Sequence, residues 1–181
     1  MTLSGSELLL AIWRGSFLLP RKKGEMTSLE LAEFEKRLRE TDLEALFAYK
    51  SGKADAPIIY KATGALAINQ EGKPMTFVAS EETPDRLGDT VSIDGWELTS
   101  FKKNPIFMFS HSYNIAPIGT VPKIWVEGKQ LLNTVKWDEE DELARFIQGK
   151  YIRGIMRAES VGFRALEFER GSNPGDGIRF L

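Results

Sequence analysis

The chain has 181 residues, of which 42% are hydrophobic, so it is long enough for one compact domain and an appendage. It contains no cysteine, which excludes a disulfide framework, a thiol nucleophile and a cysteine-based zinc site. A single histidine excludes sites that need two imidazoles, and a net charge of −2 indicates no basic face for nucleic acid. We therefore expect no cofactor, no metal and no nucleic-acid partner.

An apolar run over residues 8–13 lies near the N-terminus. Arg14 ends this run and no basic residue precedes it, whereas a secretory signal has its basic residues first. A membrane-spanning helix needs about 18 or more apolar residues in succession, far more than this run offers. The sequence predicts a soluble, cytoplasmic protein with no membrane partner.

A strong helical pattern follows over residues 28–50. Thr27 or Ser28 can cap its N-terminus, and Glu30 lies in its first turn. The apolar positions form a broken stripe: Leu31, Phe34, Leu38, Leu43, Leu46 and Phe47. We expect an amphipathic helix, in two pieces with a joint near residues 41–42. It is either an independent arm that contacts a partner or a helix packed on its own domain, and the pattern does not separate these interpretations.

Residues 51–57 have the composition of a linker, which divides the chain into an N-terminal extension over 1–56 and a domain over 57–181. Apolar and polar residues then alternate over 58–68 and again over 75–79. Alternation of this kind is typical of β-strands with one buried face. The domain is therefore expected to begin as β-structure.

A buried strand is predicted over residues 105–109, which form a short continuous apolar run. Strands over 118–126 and 130–137 flank a turn and predict a hairpin. A helix capped by Asp138 then precedes an extended segment over 155–169. This order favours an α+β fold, a mainly antiparallel β-barrel or strongly curved sheet with flanking helices, plus an N-terminal helical arm.

Two residues are candidates for the chemistry. His111 follows the strand at 105–109, and imidazole is the side chain most readily poised to accept a proton near neutral pH. Ser160 lies in the extended segment, and Gly162 on the same face would leave room for a substrate backbone. Alternation directs Glu159 to the opposite face. By residue type and spacing alone both candidates are more often structural, and the spacing does not show that they meet.

Three sequence blocks surround these candidates. They are ETPDRLGD (82–89) with GW (95–96) and FKKNP (101–105), FSHSY (109–113) with PIG (117–119), and IMRA (155–158) leading into SVGF (160–163) and LEFE (166–169). In order and spacing they resemble the prohead maturation proteases of tailed phages, distant relatives of the herpesvirus assemblins. The resemblance implies a serine peptidase domain over 57–181 with an assemblin-like fold, Ser160 as nucleophile and His111 as its base.

The chain departs from this family at two places. Glu159 stands where relatives usually have a small or apolar residue, and relatives continue into a further strand, so we expect a domain truncated at its C-terminal end. The third catalytic residue is left open, because assemblins use a second histidine that this chain lacks. Nearby carboxylate candidates are Asp85, Asp89, Glu167 and Glu169. The two aspartates are better explained as turn caps around Gly88.

The resemblance also implies partners and a location. The substrates would be scaffold or the scaffolding segment of the major capsid protein, together with the protease itself, inside the procapsid in the host cytoplasm. A homo-oligomer is a further expectation, and the helix at 28–50 would be a targeting arm. Oxyanion donors would be amides near Gly162, or Arg157 or Arg164. Three alternatives stay open: a non-enzymatic capsid-assembly module or inactive fragment, a β-barrel binding domain, and a serine–lysine dyad.

Overall fold

The computed structural model describes residues 9–12, 28–62, 74–85, 87–172 and 176–181. Positions 63–68 of the predicted alternating pattern, and Arg86 of the first sequence block, lie outside these ranges. The described parts contain β1 (Leu9–Ile12), α1 (Ser28–Lys50), β2 (Ile58–Ala62), β3 (Thr76–Glu81), β4 (Thr90–Val91), a 3₁₀ turn (Ile93–Gly95), α2 (Thr99–Lys103), β5 (Ile106–Phe109), β6 (Gly119–Glu127), β7 (Gln130–Trp137), α3 (Glu142–Ile152), β8 (Ser160–Arg164), β9 (Phe168–Arg170) and β10 (Ile178–Phe180).

Seven of these strands form one curled sheet in the order β2-β8-β1-β5-β6-β7-β3. Its neighbouring strands are antiparallel except β1 and β5, which are parallel. Strand twist curls a sheet of this kind, and β3 at one end lies against β2 and β8 at the other. The result is a half-barrel, which confirms the prediction of an α+β fold with a strongly curved, mainly antiparallel sheet. A second sheet has the order β4-β10-β9.

Aromatic side chains fill much of the core. Phe77 of β3 and Phe107 of β5 are fully buried, with ring centroids 5.8 Å apart. Tyr151 of α3 packs edge-on against Phe77 at 5.0 Å, and Trp137 of β7 packs edge-on against Phe107 at 5.5 Å. Such pairs contribute about 0.5–1.5 kcal/mol each beyond the area that they bury. The core therefore fixes β3, β5 and β7 against α3.

The predicted hairpin is confirmed. β6 and β7 pair with Glu127 opposite Gln130, and Gly128 occupies the left-handed region at φ 59° in the turn between them. A tight two-residue turn of this kind needs positive φ, which glycine adopts without strain.

The N-terminus of α3 differs from the prediction. Asp141 is the cap, and its carboxylate accepts hydrogen bonds from the N–H groups of Leu143 and Ala144 at 2.6 and 3.1 Å. The prediction of Asp138 as the cap was wrong, because that carboxylate instead accepts from the N–H of Glu140 in the turn before the helix. Both aspartates bond to nearby backbone amides, which is why the pattern alone did not separate them.

α1 is one continuous helix, so the predicted joint near residues 41–42 was wrong. Its last turns contact the core, where Leu46 is fully buried. Lys50 Nζ donates to the Phe168 carbonyl oxygen at 3.2 Å and lies 4.5 Å from the centroid of that ring. At this end the helix is packed on its own domain, the second of the two interpretations. The targeting role and the division into two domains stay predictions.

Candidate active site

The two candidate residues are in contact. Ser160 is the first residue of β8, and His111 follows the last residue of β5 by two positions. His111 Nε2 lies 2.7 Å from Ser160 Oγ, although the two residues are 49 positions apart in the chain. This distance is within the range of a hydrogen bond, and it is the contact that a serine nucleophile and a histidine base require.

An unusual turn presents the histidine. Ser110 and His111 have φ angles of 59° and 50°, in the left-handed region that costs non-glycine residues about 1–2 kcal/mol each. The N–H of Ser112 donates to the carbonyl oxygen of Phe109 at 3.1 Å and closes the turn. Backbone strain of this kind collects at functional sites, where the surrounding structure holds it in place. The turn is thus a second observation that marks His111.

Tyr60 and Gly162 surround the imidazole. The two residues are paired between β2 and β8, and the Tyr60 ring packs edge-on against His111 with centroids 4.5 Å apart. A Cβ atom at Gly162 would lie 2.8 Å from Tyr60 Cε1 and 3.6 Å from His111 Nδ1. The expectation that Gly162 leaves room for a substrate backbone was therefore wrong, since the tyrosine ring and the imidazole fill that space. The glycine instead permits this packing.

Burial sets the protonation state of the imidazole. Desolvation lowers the pKa of His111 to about 4, because a poorly solvated site disfavours the charged ring. The ring is therefore neutral at physiological pH and able to accept a proton. When Nε2 accepts the Ser160 proton, Nδ1 is the protonated nitrogen of the neutral ring. His111 Nδ1 is buried and has no hydrogen-bond partner among the described residues.

The four carboxylate candidates have other surroundings. Asp85 Oδ1 accepts hydrogen bonds from the N–H groups of Leu87 and Asp89, which is the predicted turn cap. Glu167 and Glu169 are exposed. Among the contacts that the structure describes, none joins His111 to these carboxylates. The third catalytic residue therefore stays unassigned.

Lys61 belongs to a separate cluster of charges. Its Nζ lies 2.7 Å from Asp85 Oδ2 and 2.6 Å from Asp89 Oδ2, and only 3% of the Asp89 side chain is exposed. Lys61 also acts on a third acid, Asp42. Burial raises the pKa of the Asp42 carboxyl group, and the positive charge of Lys61 lowers it. Successive strand residues face opposite sides, so Lys61 projects away from Tyr60 and the imidazole. A serine–lysine dyad gains no support from this lysine.

Glu159 is a buried acid to which sequence analysis gave no role. It is 1% exposed and faces the core as alternation predicts, and its Oε1 accepts a hydrogen bond from Asn133 Nδ2. Burial raises its pKa to about 8, although the bond from Asn133 acts against this, so the carboxyl group is protonated at neutral pH. Glu159 Oε2 and Asn133 Oδ1 have no hydrogen-bond partner among the described residues. Both are acceptors, and a proton on Oε2 supplies the donor that they lack.

The two candidate arginines have hydrogen-bond partners, although Arg164 Nε is buried and has none among the described residues. Arg157 Nε donates to the Gly154 carbonyl oxygen at 3.0 Å, and Arg164 Nη1 donates to the Ala56 carbonyl oxygen at 3.3 Å. Gly162 lies in a strand that is paired on both sides, with β2 and with β1. The group that would stabilise an oxyanion is thus not identified by the contacts of these residues.

The described ranges contain no group of three or more histidine, aspartate or glutamate side chains arranged to hold a metal ion. No helix in the same ranges has both the length and the apolar character needed to cross a membrane.

Comparison with known proteins finds similarity to phage proteins. The chain is 32% identical over 133 residues to the capsid polyprotein of Pseudomonas phage PAJU2. The aligned region covers 67% of this chain and 18% of that protein. It is 30% identical over 95 residues to the prohead protease of Escherichia phage T5, which covers 50% of this chain and 44% of that protein. These similarities support a phage capsid-maturation family. The chain spans less than half the length of either relative.

No protein-family model matches the chain, and no solved structure matches it significantly. The predicted similarity to prohead proteases is confirmed at the level of sequence. The assemblin-like form of the fold and the relationship to assemblins stay predictions.

Proposed function

We propose that this chain is a serine endopeptidase of phage capsid maturation, with Ser160 as nucleophile and His111 as general base. The observation that carries the proposal is the 2.7 Å contact between Ser160 Oγ and His111 Nε2. The left-handed turn at His111 and the neutral state of its ring support the same roles. Similarity to the prohead protease of phage T5 supports a proteolytic activity.

The reaction is peptide hydrolysis by acyl transfer. Nε2 of His111 accepts the hydroxyl proton while Ser160 Oγ attacks the scissile carbonyl carbon. The tetrahedral intermediate collapses, the C–N bond breaks, and the imidazolium gives its proton to the leaving amine. A water molecule, deprotonated by the same imidazole, then cleaves the acyl ester and regenerates Ser160. Proton transfer by a positioned base contributes about 10²–10⁴-fold to such rates.

The proposed substrates are the scaffold, the scaffolding segment of the major capsid protein, and the protease itself. The site of action is then the interior of the procapsid in the host cytoplasm. Similarity to a capsid polyprotein and to a prohead protease supports this choice, because both are phage proteins named for capsid components or their processing. On this proposal α1 serves as a targeting arm through its N-terminal part, and homo-oligomers form during assembly.

The test is co-expression of the chain with the major capsid protein and scaffold of the same phage. We expect shortened capsid protein or scaffold with the unchanged chain and with Ser112→Ala, a serine in the turn beside His111. Ser160→Ala and His111→Ala are expected to give none. Equal amounts of product with Ser160→Ala and with the unchanged chain would contradict the peptidase assignment.

A non-enzymatic capsid-assembly module is the second candidate. It is favoured by one observation, that Ser160 has 0% of its surface exposed, so no substrate reaches the hydroxyl in this arrangement. On this alternative, Ser160→Ala leaves both procapsid yield and capsid-protein length unchanged. The same co-expression experiment separates the two functions.

A further inference from the structure

We infer that the gap between β8 and β5 is the binding site for the substrate strand, and that β1 occupies this site as a built-in plug. The inference rests on the proposed function. β1 lies between β8, whose first residue is the nucleophile, and β5, which leads into the turn that contains the base. In its register Ala11 is opposite Ser160 on one side and opposite Met108 on the other. We call the space between β8 and β5 the strand slot.

The buried state of the nucleophile requires a neighbour to move. Ser160 is already in contact with His111, yet it is 0% exposed. β2 and β5 cannot leave cheaply, because they contribute Ile59 and Phe107 to the core. β1 has only four residues, and short segments with few contacts open at a lower free-energy cost than longer ones. Among the described strands, β1 is therefore the neighbour of Ser160 that moves at the lowest cost.

The strand slot is one strand wide. Neighbouring strands lie about 4.8 Å apart, so β8 and β5 are separated by about 10 Å with β1 between them. β1 runs antiparallel to β8 and parallel to β5, and main-chain pairing of this kind accepts many sequences. An empty slot would leave N–H and C=O groups of both strands unpaired, which is costly. Exchange of β1 for an extended substrate segment preserves the pairing.

The exchange of β1 for substrate explains why cleavage would depend on the local concentration of the substrate. A strand tethered to its own chain competes at an effective concentration on the order of millimolar. A substrate segment at micromolar concentration in free solution therefore displaces β1 rarely. A substrate enclosed with the protease at high local concentration displaces it more readily. The plug limits cleavage to places where the substrate is concentrated.

A reversible crosslink tests the plug. Leu10 and Val161 are directly opposite in the antiparallel pairing of β1 with β8, where Cα atoms are about 4.5–5.5 Å apart. A disulfide spans that distance, and the chain has no cysteine of its own to compete. In the double variant Leu10→Cys, Val161→Cys, oxidation should therefore lock β1 in the strand slot and reduction should release it.

The readout is the rate at which an alkyl fluorophosphonate modifies Ser160. The Oγ–P bond forms, the P–F bond breaks, fluoride leaves and His111 takes the hydroxyl proton. We expect the oxidised double variant to react at least tenfold more slowly than the same protein reduced. The single variants Leu10→Cys and Val161→Cys, treated alike, should show no such difference. Equal rates in the two redox states, or failure of the crosslink to form in folded protein, would overturn the plug.

A deletion provides an independent measurement. A chain without residues 1–13 that keeps its circular dichroism spectrum should label at Ser160 at least tenfold faster than the full chain. A synthetic peptide of residues 6–15 should slow that labelling again. If the deletion or the peptide leaves the labelling rate unchanged, that result counts against the plug. Absence of labelling at Ser160 in every form would overturn the proposed function, and the role of the slot with it. The yield of the crosslink would still report separately whether β1 pairs with β8.

Discussion

His111 Nε2 and Ser160 Oγ lie 2.7 Å apart even though β1 lies between β8, which begins at Ser160, and β5, which ends two residues before His111. The turn after β5, with two successive residues at positive φ, is the local structure that presents the imidazole to the hydroxyl. The contact therefore depends on this turn.

The protonation of His111 predicts how activity depends on pH. Its pKa is lowered to about 4, and only the neutral ring accepts a proton. The rate of Ser160 modification by the fluorophosphonate should stay level from pH 8 down to pH 5.5 and fall to half near pH 4. A fall centred on pH 6.5, the value of a solvated imidazole, would show that His111 is not desolvated as described.

Glu159 predicts how stability depends on pH. Its pKa is raised to about 8 in the folded protein, whereas an exposed glutamate loses its proton near pH 4.5. The folded state therefore binds more protons between these values, and stability falls as pH rises through this window, by at most about 1.4 kcal/mol per pH unit. Between pH 6.5 and 8 His111 acts in the opposite direction but by less, because its unfolded-state imidazole goes only from half protonated to neutral while the folded ring is neutral throughout.

The Glu159→Gln variant isolates this effect. Glutamine keeps the acceptor for Asn133 Nδ2 and adds an N–H for Asn133 Oδ1, so the buried pair is retained without a titrating proton. Denaturant unfolding at pH 6.5 and pH 8 should show a smaller loss of stability for Glu159→Gln than for the unchanged chain. Glu167→Gln, at an exposed position, serves as the control and should behave like the unchanged chain. Identical pH dependence in all three proteins would argue against a protonated Glu159.

Gly162→Ala tests the packing around the imidazole. The new Cβ would lie 2.8 Å from Tyr60 Cε1, so the half-exposed tyrosine ring has to move away from His111. Misplacement of a catalytic group by about 1 Å costs on the order of a hundredfold in rate. We expect labelling of Ser160 to slow by ten- to a hundredfold while the protein stays folded. In a Tyr60→Ala background, Gly162→Ala should cost less, since the clash is gone. An equal cost in both backgrounds would exclude this cause.

Lys61→Met tests whether Lys61 contributes to the stability of the fold or to the reactivity of Ser160. It removes the cation between Asp85 and Asp89 and leaves the buried Asp89 uncompensated. Loss of one partner from a buried ion pair costs about 3–5 kcal/mol. Chemical denaturation should show a loss of that order, which the exposed Lys123→Met should not show. The labelling rate per folded molecule should be unchanged, because Lys61 does not contact Ser160. A large fall in that rate would instead support a serine–lysine dyad formed by Ser160 and Lys61.

Sequence patterns predicted the elements better than their long-range pairing. Alternation predicted β3, a continuous apolar run predicted β5, and the turn between 126 and 130 predicted the hairpin of β6 and β7, since these signals are local. The position of β1 was missed, because a strand of four apolar residues is too short to show a period. The partnership of Glu159 with Asn133 was missed for a different reason. The two residues are 26 positions apart, and only the curled sheet brings them together.

Alternation did predict that Glu159 faces away from Ser160, but it could not show that the carboxyl group is buried and protonated. The contact of His111 with Ser160 was implied by family resemblance, whereas spacing gave no reason for it. The turn that makes the contact has serine and histidine in a conformation that residue preferences disfavour. Sites of this kind depart from local preference, so local rules do not find them.

The most direct test of the central claim is the site and rate of fluorophosphonate modification in the unchanged chain and in His111→Ala. Peptide mass spectrometry identifies the modified residue, and Ser112→Ala is the matched control. We predict modification at Ser160 in the unchanged chain and in the control, and a rate at least about a thousandfold lower in His111→Ala. Modification at another serine, or an unchanged rate at Ser160 without the imidazole, would contradict the roles of Ser160 and His111.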